Sequence, residues 1–243
     1  MVQFAELIVS NYLEPCPYLK GRDACLPMRF PLRNLEAEEF DDCMAQGDRR
    51  AGIMLYRPHC PHCKACEAIR VDVARFQPNR TQRRVKRRGD AAIRVDCGSP
   101  AIDEERVALF NKHRNLRGLN QGESDIDAVE YGEFLVRSCC DTLELTFRVR
   151  EKLIAVAIAD RGTTSLSAVY CFFDPQCGKL SPGVYSILTQ IELCRRWGLR
   201  QLYLGYYIAE SSHMAYKANY RPHQRLIDGQ WREFDDATEP ATV

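Results

Sequence analysis

The sequence predicts an α+β protein in two parts. A small cysteine-rich N-terminal domain occupies residues 1–90, and a larger domain over 91–232 sets strands in series around one long helix. Three observations predict this division. The first third is rich in Pro, Cys and Arg and lacks long periodic runs. From about Asp103 apolar residues recur first at helical and then at strand spacing. A helix with its own start and stop signals follows at residue 181. The last stretch, 233–243, is acidic and Pro/Ala-rich, and is expected to be a frayed tail.

In the first part short strands are expected at 52–56 and 68–73. Residues 103–114 carry Val107, Leu109 and Phe110 near helical spacing, with acidic residues in the first turn where the helix dipole favours them. At 143–150, Leu143, Leu145, Phe147 and Val149 alternate onto one face of a strand. The run 153–159 is nearly continuous in apolar residues, as in a central strand buried on both faces. A third strand at 165–173 ends at the turn signal Asp174-Pro175. Ser181 is the expected N-cap of the long helix and Pro182 its first residue. Val184, Ile187, Leu188, Ile191 and Cys194 form the buried stripe, and Trp197-Gly198 ends it. A strand at 201–208 and a short helix at 212–219 complete the pattern.

At 243 residues the chain is long enough for a sizeable core, and 45% hydrophobic with 28% charged residues is an ordinary globular composition. No run of 18 or more apolar residues exists, so no membrane span is expected. The first fourteen residues lack a basic stretch and carry Glu6 within their apolar part, which predicts a cytoplasmic protein. The net charge of +1 hides an uneven distribution. Arg75, Arg80, Arg83, Arg84, Lys86, Arg87 and Arg88 are opposed locally by Asp72 and Asp90 alone. Such a cluster on a neutral protein points to a polyanionic partner.

Among twelve cysteines, Cys60, Cys63 and Cys66 stand at two-residue intervals and can converge on one soft cation. Cys16 is the first choice for a fourth ligand, with Cys25, His59 and His62 in reserve. The same spacing occurs around iron–sulfur clusters, so zinc and a cluster are both open. A closed site would hold together a segment with little core of its own. The basic stretch 76–89 is expected to form a helix, capped by Asn79 or Thr81 and stopped by Gly89. Arg80, Arg84, Arg87 and Arg88 would share one face at a pitch suited to successive phosphates of RNA.

The order of elements in the second part resembles the GNAT acyltransferase fold. GNAT acetyltransferases hold the pyrophosphate of acetyl-CoA at a Gly-rich turn opening the central helix. Here that place is Cys177-Gly178-Lys179-Leu180-Ser181-Pro182-Gly183, which does not match, so acetyl-CoA is not the expected donor.

Taken in order, several segments resemble the bacterial Bpt-type aspartate/glutamate leucyltransferases, relatives of the arginyl-tRNA–protein transferases. The match includes Pro15-Cys16-Pro17-Tyr18-Leu19, the run from Tyr56 to Cys66, and residues 79–84. It continues through Lys112-His113-Arg114, residues 166–175 and residues 202–206, and closes with residues 214–222. Departures are Ser181-Pro182-Gly183 in place of Ser-Leu-Gly, the reversed pair His113-Arg114, and Leu119 after Gly118. The resemblance implies transfer of leucine from leucyl-tRNA to proteins with N-terminal Asp or Glu, which marks them for degradation. Arginine as donor and a non-catalytic metal-containing RNA-binding protein are the alternatives.

Aminolysis of an ester needs no enzyme nucleophile. It needs an amine about 3 Å from the carbonyl and a stabilised oxyanion. Tyr206, Tyr216 and Lys217 are the catalytic candidates, Tyr206 and Tyr216 as proton donors and Lys217 as a holder of phosphate or carboxylate. Selection of an acidic side chain falls to Arg80, Arg83 or Arg114. Tyr170, with Phe172 and Phe173, would line a pocket for an apolar aminoacyl group. Under the resemblance, Arg84, Lys86, Arg87 and Arg88 would bind the tRNA.

Overall fold

A computed structural model describes residues 4–120, 122 and 124–235. The chain opens with β1 (Glu6–Ser10), β2 (Leu13–Pro15), β3 (Asp23–Cys25) and β4 (Met28–Pro31). Helix α1 (Ala37–Ala45), β5 (Arg49–Ala51), β6 (Met54–Tyr56) and β7 (Glu67–Asp72) follow. Next come α2 (Arg80–Ala92), β8 (Arg94–Gly98), α3 (Glu104–Leu116) and α4 (Ala128–Tyr131), the last continued by a π-helical turn. Then β9 (Thr142–Val149), β10 (Lys152–Arg161) and β11 (Ser165–Phe173) lead to α5 (Pro182–Trp197) and β12 (Gln201–Tyr207). The short helix α6 (Ser212–Ala215) runs into a 3-10 turn over Tyr216–Asn219, followed by β13 (His223–Ile227) and β14 (Gln230–Phe234).

Eight strands form the main sheet in the order β14-β13-β7-β12-β11-β10-β9-β8. Its one parallel pair is β11 with β12, and α5 supplies the long crossover that a parallel pair requires. In β10 the eight residues between Lys152 and Arg161 are all buried, because helices cover both faces. Ala155, Ala157 and Ala159 pack with Leu188 and Ile191 of α5 on one side. Val156 and Ile158 pack with Leu109 and Phe110 of α3 on the other. A four-stranded sheet, β1-β4-β6-β5, sits with α1 beside the face that carries Tyr203.

Two elements from before residue 90 are built into this core. β7 lies between β13 and β12, and α2 packs along α5. At the other end Glu233 and Phe234, assigned to the tail by composition, are the last residues of β14. Phe234 stacks on His223 and carries the Arg225 guanidinium over its ring at 3.4 Å. The rest of that tail, 236–243, lies outside the described residues.

Two expected helix signals work differently in the structure. Asn79 caps α2 through a capping box with Gln82, but Gly89 does not stop the helix. Gly89 is interior, and a Cβ there would meet the Tyr185 ring at 2.2 Å, so the glycine is the contact that lets α2 approach α5. Ser181 makes no side-chain cap to α5. A 3-10 turn over Pro175–Leu180 delivers it in the left-handed region, φ 52°, instead of the extended conformation usual for a capping residue.

Asp174 anchors the end of β11. Its carboxylate is buried and receives Lys112 and Lys152, each at 2.9 Å. Burial alone would raise its pKa, but those hydrogen bonds and the Gln176 N–H outweigh it and lower it to about 2. The resulting stability is complete above the unfolded aspartate value of about 4 and is lost as pH falls through the folded one. Asp174→Asn is therefore expected to cost about 2 kcal/mol at pH 7 and to flatten the acid limb of a pH–stability curve. Urea titrations between pH 7 and 2 measure both effects.

Candidate active site

β11 and β12 pair over Ser165–Ser167 and Gln201–Tyr203 and then part. β11 continues beside β10, while β12 continues beside β7 after a bulge between Tyr203 and Gly205. A parting of two strands inside a sheet leaves backbone groups without ladder partners, and each needs another. Here two cations supply them. Arg49 of β5 donates from Nη1 to Ser167 Oγ at 2.6 Å and from Nη2 to the Ala168 carbonyl at 2.5 Å. Lys217 donates from Nζ to the Tyr206 carbonyl at 2.7 Å and lies 3.4 Å from Met214 Sδ.

Gly205 lies between them with φ 87°, a conformation open to glycine. A Cβ at this position would stand 3.4 Å from Lys217 Nζ and 3.5 Å from the Arg49 guanidinium carbon. Burial first, and the Arg49 charge second, hold the Lys217 ammonium down to about 7, with Cys66 opposing. A substantial neutral fraction near pH 7 lets this amine accept or return a proton.

The other candidates are placed as follows. Tyr206 is buried, its hydroxyl donates to the Gly47 carbonyl at 2.9 Å, and its ring meets Tyr56 edge-on. Its backbone carbonyl, rather than its phenol, is the part that meets Lys217. Tyr216 precedes Lys217 on the 3-10 turn and is exposed. Tyr170 is half-buried in an aromatic cluster with Phe110, Phe134 and Phe172, and Arg114 lies over the Phe110 ring at 5.7 Å. Phe172 is fully buried core, while Phe173 packs against His113 and beside Gly183.

On α2, Arg80, Arg83, Arg84, Arg87 and Arg88 are exposed, and Arg83 donates to the Pro78 carbonyl. Lys86 is held by Asp90 at 2.7 Å and by Glu192 of α5 at 2.9 Å, so its charge is neutralised within the fold. Arg83, Lys86 and Arg87 line one side of a cavity of about 510 Å³ between α2 and α5, floored by Phe76, Leu188 and Ile191.

Cys16, Cys60, Cys63 and Cys66 are neighbours. Burial first, then the thiols of Cys16, Cys60 and Cys63, push the Cys66 thiol up to about 12. The Leu19 N–H points at Cys16 Sγ and the Cys25 N–H at Cys60 Sγ, both at 3.4 Å, and Arg22 Nη1 lies 3.7 Å from Cys63 Sγ. Cys25 turns its own thiol to Asn11. Among the described residues, no group of three or more His, Cys, Asp or Glu side chains is arranged to hold one metal ion. Among the described residues also, no helix is long and apolar enough to cross a membrane.

Sequence reasoning missed Arg49 and Ser167. Arg49 sits in a three-residue strand beside a second arginine, Arg50, and nothing local separates the two. Strand alternation does not separate them either, because both are buried: Arg50 pairs with Asp160 on one face and Arg49 reaches Ser167 on the other.

The family models for the arginine-tRNA-protein transferases match the chain twice, the N-terminal one over residues 14–84 and the C-terminal one over 105–227. The chain is 41% identical over 218 residues to an aspartate/glutamate leucyltransferase of Chromobacterium violaceum, covering 90% of each chain. It is 37% identical over 228 residues to the protein of that name in Halorhodospira halophila, covering 93% of this chain and 96% of the relative. Among solved structures, the C-terminal domain of a putative lysylphosphatidylglycerol synthetase from Agrobacterium fabrum superposes with a TM-score of 0.51 at 14% identity. That match covers 83% of this chain and 64% of the other, and it shows a shared mixed α/β fold alone. With both halves matched in order and relatives similar along nearly their whole length, the chain belongs to the arginine-tRNA-protein transferase family of aminoacyltransferases.

Proposed function

We propose that the protein transfers leucine from leucyl-tRNA to the α-amine of proteins that begin with aspartate or glutamate. The observation that carries this reading is the near full-length similarity to two aspartate/glutamate leucyltransferases. The parted strands with Lys217 between them support the chemistry. The amine nitrogen bonds to the ester carbonyl carbon, the bond from that carbon to the ribose oxygen breaks, and the leaving oxygen takes a proton. An α-amine with a pKa near 7.7–8.0 is partly neutral at pH 7, and a lysine held near 7 can exchange the remaining proton. The half-buried Tyr170 cluster supports a pocket for the apolar leucyl group. Pro182 removes an N–H from the start of α5, which argues against a pyrophosphate grip there and against acetyl-CoA.

Purified protein with labelled leucyl-tRNA and arginyl-tRNA, and acceptor peptides beginning with Asp, Glu or Ala, tests the reading. Leucine on Asp and Glu peptides is the expected result. Arginine alone would move the donor, and no transfer from either tRNA would end the enzymatic reading.

The exposed arginines of α2 serve the tRNA in this reading, and degradation of the tagged product follows from the acceptor. Removing two phosphate contacts by Arg84→Ala with Arg88→Ala is expected to reduce the salt slope of tRNA binding by about 2, without altering peptide binding. Lys86→Ala is expected to change neither. Filter binding from low to moderate salt measures the slope, and an unchanged slope would remove α2 from the interface.

We further propose that Cys16, Cys60, Cys63 and Cys66 close on a zinc ion or an iron–sulfur cluster when one binds; as four thiols they suit a soft cation, although their side chains are not drawn around one point in the structure. The group's contribution there is folding energy for a loop-rich segment. Elemental analysis of purified protein is expected to find bound zinc or iron, and Cys63→Ser to lose it together with thermal stability. Protein isolated without either metal and fully stable would refute this.

A further inference from the structure

The parted strands hold more positive charge than the fold neutralises. Arg49 is 7% exposed and Lys217 8%. Other arginines in the interior meet a carboxylate: Arg50 meets Asp160, Arg106 meets Glu144, and Arg225 meets Glu67. Arg49 and Lys217 meet none within 4.0 Å among the described residues. A buried guanidinium with no carboxylate partner, beside an amine whose charge it disfavours, is costly, and an arriving anion would stabilise the charge on both; such an arrangement marks a place where an anion binds.

We propose that Arg49 and Lys217 form the pocket for the side-chain carboxylate of the acceptor's N-terminal aspartate or glutamate, which rests on the leucyl-transfer reading above. The geometry supports a carboxylate in particular. Arg49 is fixed by Ser167 and Ala168 through one hydrogen on each Nη, which leaves its Nε–H and the remaining Nη hydrogens for a planar anion. Lys217 is fixed by the Tyr206 carbonyl and keeps further N–H donors. Gly205 places no side chain between the two, where a Cβ would already touch both. A side-chain carboxylate brings one slender stem to these donors, whereas a phosphodiester brings a ribose on either side. An amide of the same shape would leave both charges unpaired, so the pocket would separate Asp from Asn and Glu from Gln. Of the three residues the sequence suggested for this role, Arg80 and Arg83 are exposed on α2 and Arg114 lies over the Phe110 ring.

The test is peptide binding to the full-length protein without tRNA, by fluorescence anisotropy, with peptides beginning in Asp, Glu, Asn or Gln. The wild-type protein is expected to bind the acids at least about tenfold more tightly than the amides, and Arg49→Met to bring that ratio to within about twofold. Arg49→Lys should keep part of the preference. If Arg49→Met fails to fold by circular dichroism, Lys217→Met gives the same readout. Equal binding of Asp and Asn peptides by the wild-type protein overturns the proposal. So does an acid preference that survives in a folded Arg49→Met or Lys217→Met. Leucine transfer run in parallel separates the two readings. Acid-selective binding without transfer from either tRNA sinks the transfer reading and leaves the pocket. Transfer without acid selectivity sinks the pocket alone.

Discussion

Asp160→Ala is expected to destabilise the protein by about 3–5 kcal/mol, the usual cost of stranding one member of a buried ion pair. Arg50 Nε donates to Asp160 Oδ2 at 2.6 Å, and each side chain is 1% exposed. The other carboxylate oxygen receives the Thr142 hydroxyl at 2.6 Å, and Arg50 Nη1 reaches the Gly52 carbonyl at 3.0 Å. This network joins β5 of the small sheet to β10 and β9 of the large one. Without Asp160 the guanidinium stays in the interior, held only by carbonyls. For a chain of this length the loss corresponds to a fall in Tm of roughly 10 °C. Calorimetry on the folded variant measures it, and a loss below about 1 kcal/mol would show that water reaches Arg50.

Lys217→Met has the opposite signature. Leucine transfer to an Asp peptide is expected to fall by about a hundredfold or more, while stability below pH 7 rises by a few kcal/mol at most. Burial holds the Lys217 pKa near 7, well under the ordinary lysine value. Between those two values the unfolded chain binds the extra proton, so this group makes the wild-type protein more stable as pH rises through that window. Below it, the native state carries a charge it would rather not hold. Methionine fills a similar volume, removes the slope and removes the penalty, less one hydrogen bond to the Tyr206 carbonyl. Stability curves from pH 6 to 10 would reject this account if the two proteins ran parallel.

The parts of the fold legible in the sequence are those whose side chains repeat. β9, β10, β11 and α5 appear within a residue or two of where alternation and the buried stripe place them. β5 and β6 are three residues each, too short to show a period, and their burial depends on what lies across from them. Lys217 could be picked out by its place on the short helix after the strand that carries Gly205-Tyr206. Arg49 could not, because its partner Ser167 is 118 positions away and becomes a partner only where β11 leaves β12. Ser181 shows the reverse failure, a correct cap residue whose backbone is claimed by the preceding 3-10 turn. Local chemistry names candidates, and long-range geometry chooses among them.

The position of β7 has a consequence for synthesis. Ile69 pairs with Gly205 on one side and with Arg225 on the other. When β7 leaves the ribosome, neither neighbour has yet been translated, and both of its edges stay open until most of the chain has followed. The nascent protein must therefore keep a strand with two open edges and an apolar side (Ile69, Val71) from pairing with other chains during that delay. The cysteine-rich loop lies immediately before β7. Under the metal proposal above, a cation captured there early would tether the waiting strand while the rest of its sheet is made.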